Sequence, residues 1–185
     1  NAKDLNETYL PAFQATVQEA HVESVMGAYN RVNGEPACGS ETLLKKTLRE
    51  GWGFQGHVVS DCWAIQDFHL HHKVTDTSTE SAALAIRNGC DLNCGNTYLH
   101  ILEAYQEGLV TEEQITLACE RLFTTRFMLG LFDDDCEYDS IPVTQNDTDE
   151  HAALALEAAE KCMVLLENDG ILPLDPNRIR TIAES

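Results

Sequence analysis

Apolar residues along this chain recur in two ways, as short unbroken runs and as stripes spaced three or four apart. Pro11 suits a first helical position, and Phe13, Val17 and Ala20 then mark one helical face. In "VESVMGAYN", Val22, Ser24 to Met26 and Ala28 read as a short strand ending at Tyr29-Asn30. The loop "RVNGEPACG" carries turn chemistry at Asn33-Gly34. Ser40 then caps a helix striped by Leu43, Leu44 and Leu48 that ends near Gly51. "GHVVSD" is apolar until its end, as buried parallel strands are. A polar, His-rich loop, "DFHLHHKVTDTS", leads to the helix "TESAALAIRN", which stops at Gly89, a fitting residue just past a helix end. "CDLNCG" reads as one more short strand. Strand, helix, strand, helix, strand in that order predicts parallel βαβ units.

The remainder is helical. "TYLHILEAYQEG" puts Tyr98, Ile101, Leu102 and Tyr105 on one face, and "TEEQ" at Thr111 to Gln114 is a capping box opening a long helix that ends at Gly130. "DDDCEYDSIPVTQNDTDE" has no helical or strand period and reads as a linker. "HAALALEAAEKCMVLLEN" predicts a helix striped by Leu156, Ala159, Met163 and Leu166, and "GILPLDPNRIRTIA" reads as the lead into a first strand of a second domain.

In parallel α/β folds, reactive groups gather at the carboxyl ends of strands, where loops open a cleft. Three predicted strands end in polar residues: Tyr29-Asn30, Asp61, and Asp91 to Asn93. Asp61 stands out because a carboxylate closes an apolar run, with Trp63 two residues on. By itself such an acid often only caps a turn. The polar neighbours and the aromatic shift the balance toward a sugar site, since the apolar face of a pyranose packs on a ring.

A length of 185 residues and a 43% hydrophobic content suffice for a packed core. The opening without an initiator Met and the ending in an apolar run read as an excised piece. The net charge of −19, with no basic cluster denser than Lys45-Lys46, argues against nucleic acid or an anionic membrane as partner. No apolar run has the length of a membrane span. The seven cysteines are scattered without a CxxC pair, so the expected setting is reduced and cytoplasmic. His69, His71 and His72 in one loop, with Cys90 and Cys94 four apart on a strand, are the sole candidates for metal ligands. A loop lining a cleft is the expectation for the histidines. No metal and no cofactor is assigned.

"VMGAYNRVNGEPACGS" followed by "LREGWGFQGHVVSDCWAI" resembles glycoside hydrolase family 3, the β-glucosidases and β-xylosidases. "GLFD", and "HAALALEAAEKCMVLLENDGILPL" after the linker, resemble the way that family leaves its barrel and enters its second domain. The resemblance implies that Asp61 is the nucleophile of a retaining mechanism and that Met26 and Tyr29 line the sugar subsite. Many members carry Trp directly after the nucleophile. Here Cys62 takes that place and Trp63 follows, so a substrate-binding role for Trp63 is carried over one position late. Retention needs two carboxyl groups roughly 5–5.5 Å apart. The family's acid/base residue comes from its second domain, so none is assigned.

The resulting expectation is an α/β fold: the last strands and helices of a (β/α)8 barrel over 1–132, an acidic linker over 133–149, and the start of a second α/β domain over 150–185. The expected function is an exo-acting β-D-glycosidase, β-glucosidase or β-xylosidase, whose substrate is an oligosaccharide or an aryl or alkyl β-glycoside. A few strands cannot close a barrel, so self-association or support by further chain is expected. Two other classes stay open: a non-catalytic folding or binding unit, and a metal-dependent barrel hydrolase using the His-rich loop.

Overall fold

A computed structural model describes residues 1–181. The chain divides into two compact units, Asn1–Asp134 and Asp135–Ser185.

In the first unit, α1 (Ala2–Asp4) and a π-type turn (Leu5–Tyr9) lead into α2 (Leu10–Gln18), with Pro11 in its first turn. Strand β1 (Ser24–Gly27) pairs in parallel with β4 (His57–Ser60), in a register that sets Gly27 beside Ser60. Between them β2 (Arg31–Val32) and β3 (Glu35–Pro36) form a small hairpin. Its turn is Asn33-Gly34, at φ of 51° and 92°, as a tight hairpin turn requires. The helix capped by Ser40 spans Glu41–Gly51 and is wound in π form, and its cap hydroxyl accepts from the Leu43 N–H at 2.9 Å. Such a cap stabilises by about 0.5–2 kcal/mol.

The expected polar loop after β4 contains a helical turn, α3 (Asp67–Leu70), because Phe68 drops into the core. Helix α4 (Ser78–Asn88) follows, capped by Thr77 and closed by Gly89 at φ of 95°. The expected strand "CDLNCG" shrinks to one parallel bridge, Leu92 to Val59. Asp91 takes up the Val58 N–H with its side chain, so a regular ladder does not extend there. Leu92 lies on the side of β4 opposite β1, which makes β4 the centre of the sheet. Helices α5 (Ile101–Gln106) and α6 (Glu112–Met128) complete the unit, α6 opening with the capping box of Thr111 and Gln114.

Val58, Ile65 and Phe68 are fully buried at the core's centre, with Leu44, Leu48, Phe54 and Cys38 around them. Full burial of side chains this size stabilises by about 1.5–3 kcal/mol each. A second cluster of Ile86, Ala104, Val110 and Ala118 packs α4 against α5 and α6. A hydrogen-bond chain joins α6 to the sheet: Thr125 Oγ1 donates to Glu23 Oε1 at 2.8 Å and sits 2.9 Å from His57 Nδ1.

Among its described residues the second unit holds two short 3₁₀ turns and α7 (Asp149–Cys162), capped by Thr148. The expected helix through Asn168 is therefore too long. The chain turns extended at Met163, where Met163, Val164, Leu165 and Leu166 form an exposed apolar run. A run with no polar positions gives no face to an amphipathic helix. Residues 170–181 of the expected lead-in strand are turns and irregular chain, and the rest of that segment lies outside the described residues.

Candidate active site

Parallel pairing of β1 and β4 sends both strands out at one end, and the polar residues that follow them meet there. The Asp61 N–H donates to Gly27 O at 2.8 Å, extending the ladder one step past β4. Asp61 then opens a turn: the Ala64 N–H donates to its carbonyl at 3.1 Å, and its own Oδ1 accepts from the Cys62 N–H at 2.7 Å. One carboxylate oxygen is thus fixed by the main chain. Tyr29, two residues past β1, reaches over the same end and donates its hydroxyl to Cys62 O. Loss of solvent and then the adjacent Asp61 charge raise the Tyr29 phenol above its ordinary range, so it stays protonated at neutral pH.

The third polar group is placed differently from expectation. Asn93 reaches the rim, its Nδ2 donating to Ser60 Oγ at 3.1 Å, and the Cys94 N–H donates to the same oxygen at 3.0 Å. Asp91 does not. The register puts it beside Val58, three residues short of Asp61, and its side chain, 1% exposed, is enclosed by Arg49 at 2.8 Å and Arg121 at 3.1 Å. Asp91 belongs to a buried ion cluster.

Met26 lies one residue below the end of β1, opposite Val59, and is 59% exposed. It lines an apolar groove of about 610 Å³ shared with Phe13, Val17, Leu44 and Trp52, which Asp61, Tyr29 and Trp63 do not line. The structure therefore joins Tyr29 to Asp61 and sets Met26 to one side. Trp63 follows Asp61 in the turn, 51% exposed, with φ at 68°. A left-handed backbone at a bulky residue costs about 1–3 kcal/mol and persists where its surroundings enforce it.

The free-cysteine expectation needs correction. Cys62 and Cys94 are joined in a disulfide that ties the turn after β4 to the loop after Leu92. Neighbouring parallel strands end side by side, so a Cys just past each end can meet its partner although 32 residues separate them. "SDC" and "LNC" held that signal. Bonding also takes Cys94 out of any ligand set, while Cys90 is buried against Tyr98, whose hydroxyl donates to Cys90 O at 2.5 Å.

The three histidines of the loop turn to separate partners. His69 Nδ1 lies 2.9 Å from Ser81 Oγ, His71 bonds Asp67 at 2.7 Å, and His72 stacks on Phe68. Among the described residues no group of three or more His, Cys, Asp or Glu is set to hold a metal ion, and no helix is long and apolar enough to cross a membrane.

Burial lowers the pKa of His69, helped by Lys73 and His100. Burial also lowers that of His72, against the pull of Asp67. Neutral imidazoles are therefore favoured in the folded state. Their contribution to stability is complete above the ordinary value of 6.5 and is lost as pH falls through the lower folded values. The melting temperature of the protein is expected to fall between pH 7.5 and 5.5. A His69→Gln/His72→Gln variant should follow a flatter curve in thermal scans, and an identical slope would show that these histidines do not titrate with folding.

The glycosyl hydrolase family 3 N-terminal domain model matches residues 1–125. The chain is 40% identical over 182 residues to a xylan 1,4-β-xylosidase of Xylanibacter ruminicola, covering 96% of this chain and 21% of that protein. It is 42% identical over 184 residues to β-D-xylosidase 1 of Arabidopsis thaliana, covering 98% and 24%. Among solved structures, a GH3 exo-β-xylosidase (XlnD) in complex with a xylobiose aziridine activity-based probe superposes with a TM-score of 0.77 at 32% identity, over 95% of this chain and 23% of that one. A β-glucosidase from Listeria innocua gives a TM-score of 0.73 at 30% identity, over 94% and 24%. The chain thus spans about a fifth to a quarter of the length of these relatives. With most of its length matched by the family model and an α/β fold shared with these structures, the chain belongs to glycosyl hydrolase family 3 through its N-terminal domain.

Proposed function

We propose that this chain is part of the catalytic domain of a retaining, exo-acting β-D-glycosidase in which Asp61 attacks the anomeric carbon of a terminal sugar. The observation that carries the reading is the meeting of Tyr29 and Asp61 at one end of the parallel pair. In the first step an Asp61 oxygen forms a bond to the anomeric carbon as the bond to the leaving oxygen breaks, with a proton supplied to that oxygen. In the second, water releases the sugar from Asp61. With Oδ1 held by the Cys62 N–H, Oδ2 is the oxygen for the attack. Tyr29 positions the carboxylate through the turn it holds at Cys62 O, and its raised pKa keeps the phenol a donor in that bond throughout. Trp63 offers an exposed ring beside the reacting carbon, and Met26 shapes the flank of β1.

The architecture proposed for this chemistry is the last part of a (β/α)8 barrel over 1–132, a linker over 133–149, and the start of a second α/β domain over 150–185. Support comes from the parallel register and from the helices that lie between successive strands. Of the two substrate classes, β-xylosides are favoured, because relatives at 40% and 42% identity are named β-xylosidases. The Cys62–Cys94 bridge supports an oxidising compartment in place of the cytoplasmic one. Titration of the unfolded, unreduced protein should find that pair unavailable to a thiol reagent.

The deciding experiment incubates the full-length enzyme with 2-deoxy-2-fluoro-β-xyloside and its glucoside counterpart, each bearing a good leaving group. Peptide mapping should locate the trapped sugar on Asp61. A label on another carboxylate would overturn the assignment. Tyr29→Phe is expected to keep the fold and lower kcat/KM by about 1–3 kcal/mol of transition-state binding, the scale for a polar group left unpaired. Steady-state kinetics on nitrophenyl β-xyloside checks this, and unchanged constants would leave Tyr29 a packing residue.

A further inference from the structure

Trp63 holds a left-handed backbone, at φ of 68°, with its indole half exposed. The loop after Leu92 enforces this. The Trp63 N–H donates to Cys94 O at 2.7 Å, and Cys62, one residue earlier, is covalently joined to Cys94. Cys94 is held in turn by its own N–H on Ser60 Oγ, inside the sheet. The next residue is Gly95, at φ of 141°. A Cβ built there would lie 3.4 Å from Trp63 N and 3.5 Å from Trp63 Cε3. A single methyl group would already touch the indole, anything branched would enter its space, and no L side chain favours that φ.

We propose that Gly95 is a specificity-determining position of the glycosidase site. By carrying no side chain it gives the Trp63 indole a seat, with the bridge and the Cys94 carbonyl fixing the ring's height above it. The exposed face then packs against a planar or ring-shaped leaving group, an aryl ring or a second pyranose, on the far side of the bond that Asp61 cleaves. The inference rests on Asp61 being the nucleophile. It adds that selection for the leaving group is set from the loop after Leu92, through a residue that touches no substrate. A small leaving group such as methoxide makes little contact with the indole and is indifferent to where the ring sits.

The test uses the full-length enzyme and compares kcat/KM for 4-nitrophenyl and methyl β-glycosides of xylose and of glucose. In Gly95→Val the ratio of nitrophenyl to methyl activity should fall by about tenfold, the scale of one apolar contact in a binding pocket. Gly95→Ala, whose methyl only comes into ordinary contact at 3.4–3.5 Å, should change it far less. The methyl glycoside itself should be turned over nearly as before. Trp63→Ala should lower the same ratio, and adding Gly95→Val to it should change nothing further, since both act through one ring. An equal loss on all substrates, or a Gly95→Val effect that persists without the indole, would show Gly95 to be structural only and overturn the proposal. Fluoro-sugar labelling of each variant separates this failure from that of the underlying reading. If Asp61 is labelled in all variants and the ratio stays constant, only the role of Gly95 falls. If Asp61 is never labelled, both fall.

Discussion

Asp61→Asn is expected to lower kcat of the full-length enzyme on nitrophenyl β-xyloside by on the order of 10⁴-fold or more, the scale at which loss of a covalent nucleophile is read. The substitution isolates the chemistry because the fold has little reason to move. The asparagine carbonyl can still accept from the Cys62 N–H, which now reaches Oδ1 at 2.7 Å, so the turn from Asp61 to Ala64 keeps its internal bonds. What disappears is the negative charge and the oxygen proposed to form the covalent bond. Two accompanying results mark the cause. Azide, a small anionic nucleophile that needs no base to activate it, should restore part of the turnover by attacking the anomeric carbon itself. Removing the charge should also bring the Tyr29 phenol back toward its ordinary range, since the adjacent carboxylate holds it high after loss of solvent. Ultraviolet titration of phenolate in the two proteins reads that shift. Wild-type activity in Asp61→Asn would remove the assignment altogether.

Which parts of this site were legible in the sequence follows from the range of the interactions involved. "SVMG" and "HVVS" are apolar runs bounded by polar residues, and a buried parallel pair needs nothing else, so β1, β4 and their common end could be read directly. Ser40, Thr111 and Gly89 act within a turn of their own helices, and each of these caps was equally plain. The misplaced features depend on register. Asp91 and Asn93 look alike in "CDLNCG", yet one stands beside Val58 and the other bonds Ser60, and only the pairing with β4 separates a buried ion from a rim amide. The Cys62–Cys94 bridge was hidden for a related reason, since its spacing matches no local motif and its logic appears once the two strand ends are adjacent. The end of α7 was read too late because an all-apolar "MVLL" satisfies a helical stripe as readily as it satisfies extended chain.

The buried cluster around Asp91 should dominate stability as Asp61 is proposed to dominate chemistry. Asp91 Oδ2 accepts from Arg49 and from the Val58 N–H, both at 2.8 Å, and Oδ1 accepts from Arg121 at 3.1 Å. One carboxylate therefore satisfies the central strand, the helix Glu41–Gly51 and α6. Arg49 extends the cluster to Gly56 O at 3.1 Å, just ahead of β4, while burial pulls its pKa below the ordinary value against the attraction of Asp91. Two guanidinium groups this enclosed, 12% and 21% exposed, pair with no other carboxylate among the described residues. Asp91→Ala is accordingly expected to destabilise the protein by about 3–5 kcal/mol, the cost of removing one partner from a buried ion pair. Asp91→Asn should fall between this variant and wild type, because the amide can still accept from Val58 while its charge is gone. Urea unfolding at constant slope gives the magnitude. Hydrogen exchange at the Val58 amide gives the place, since that N–H should lose its protection in Asp91→Ala before the rest of β4 does. A midpoint shift worth less than about 1 kcal/mol would mean that solvent already reaches the pair, as it does for ion pairs on a surface.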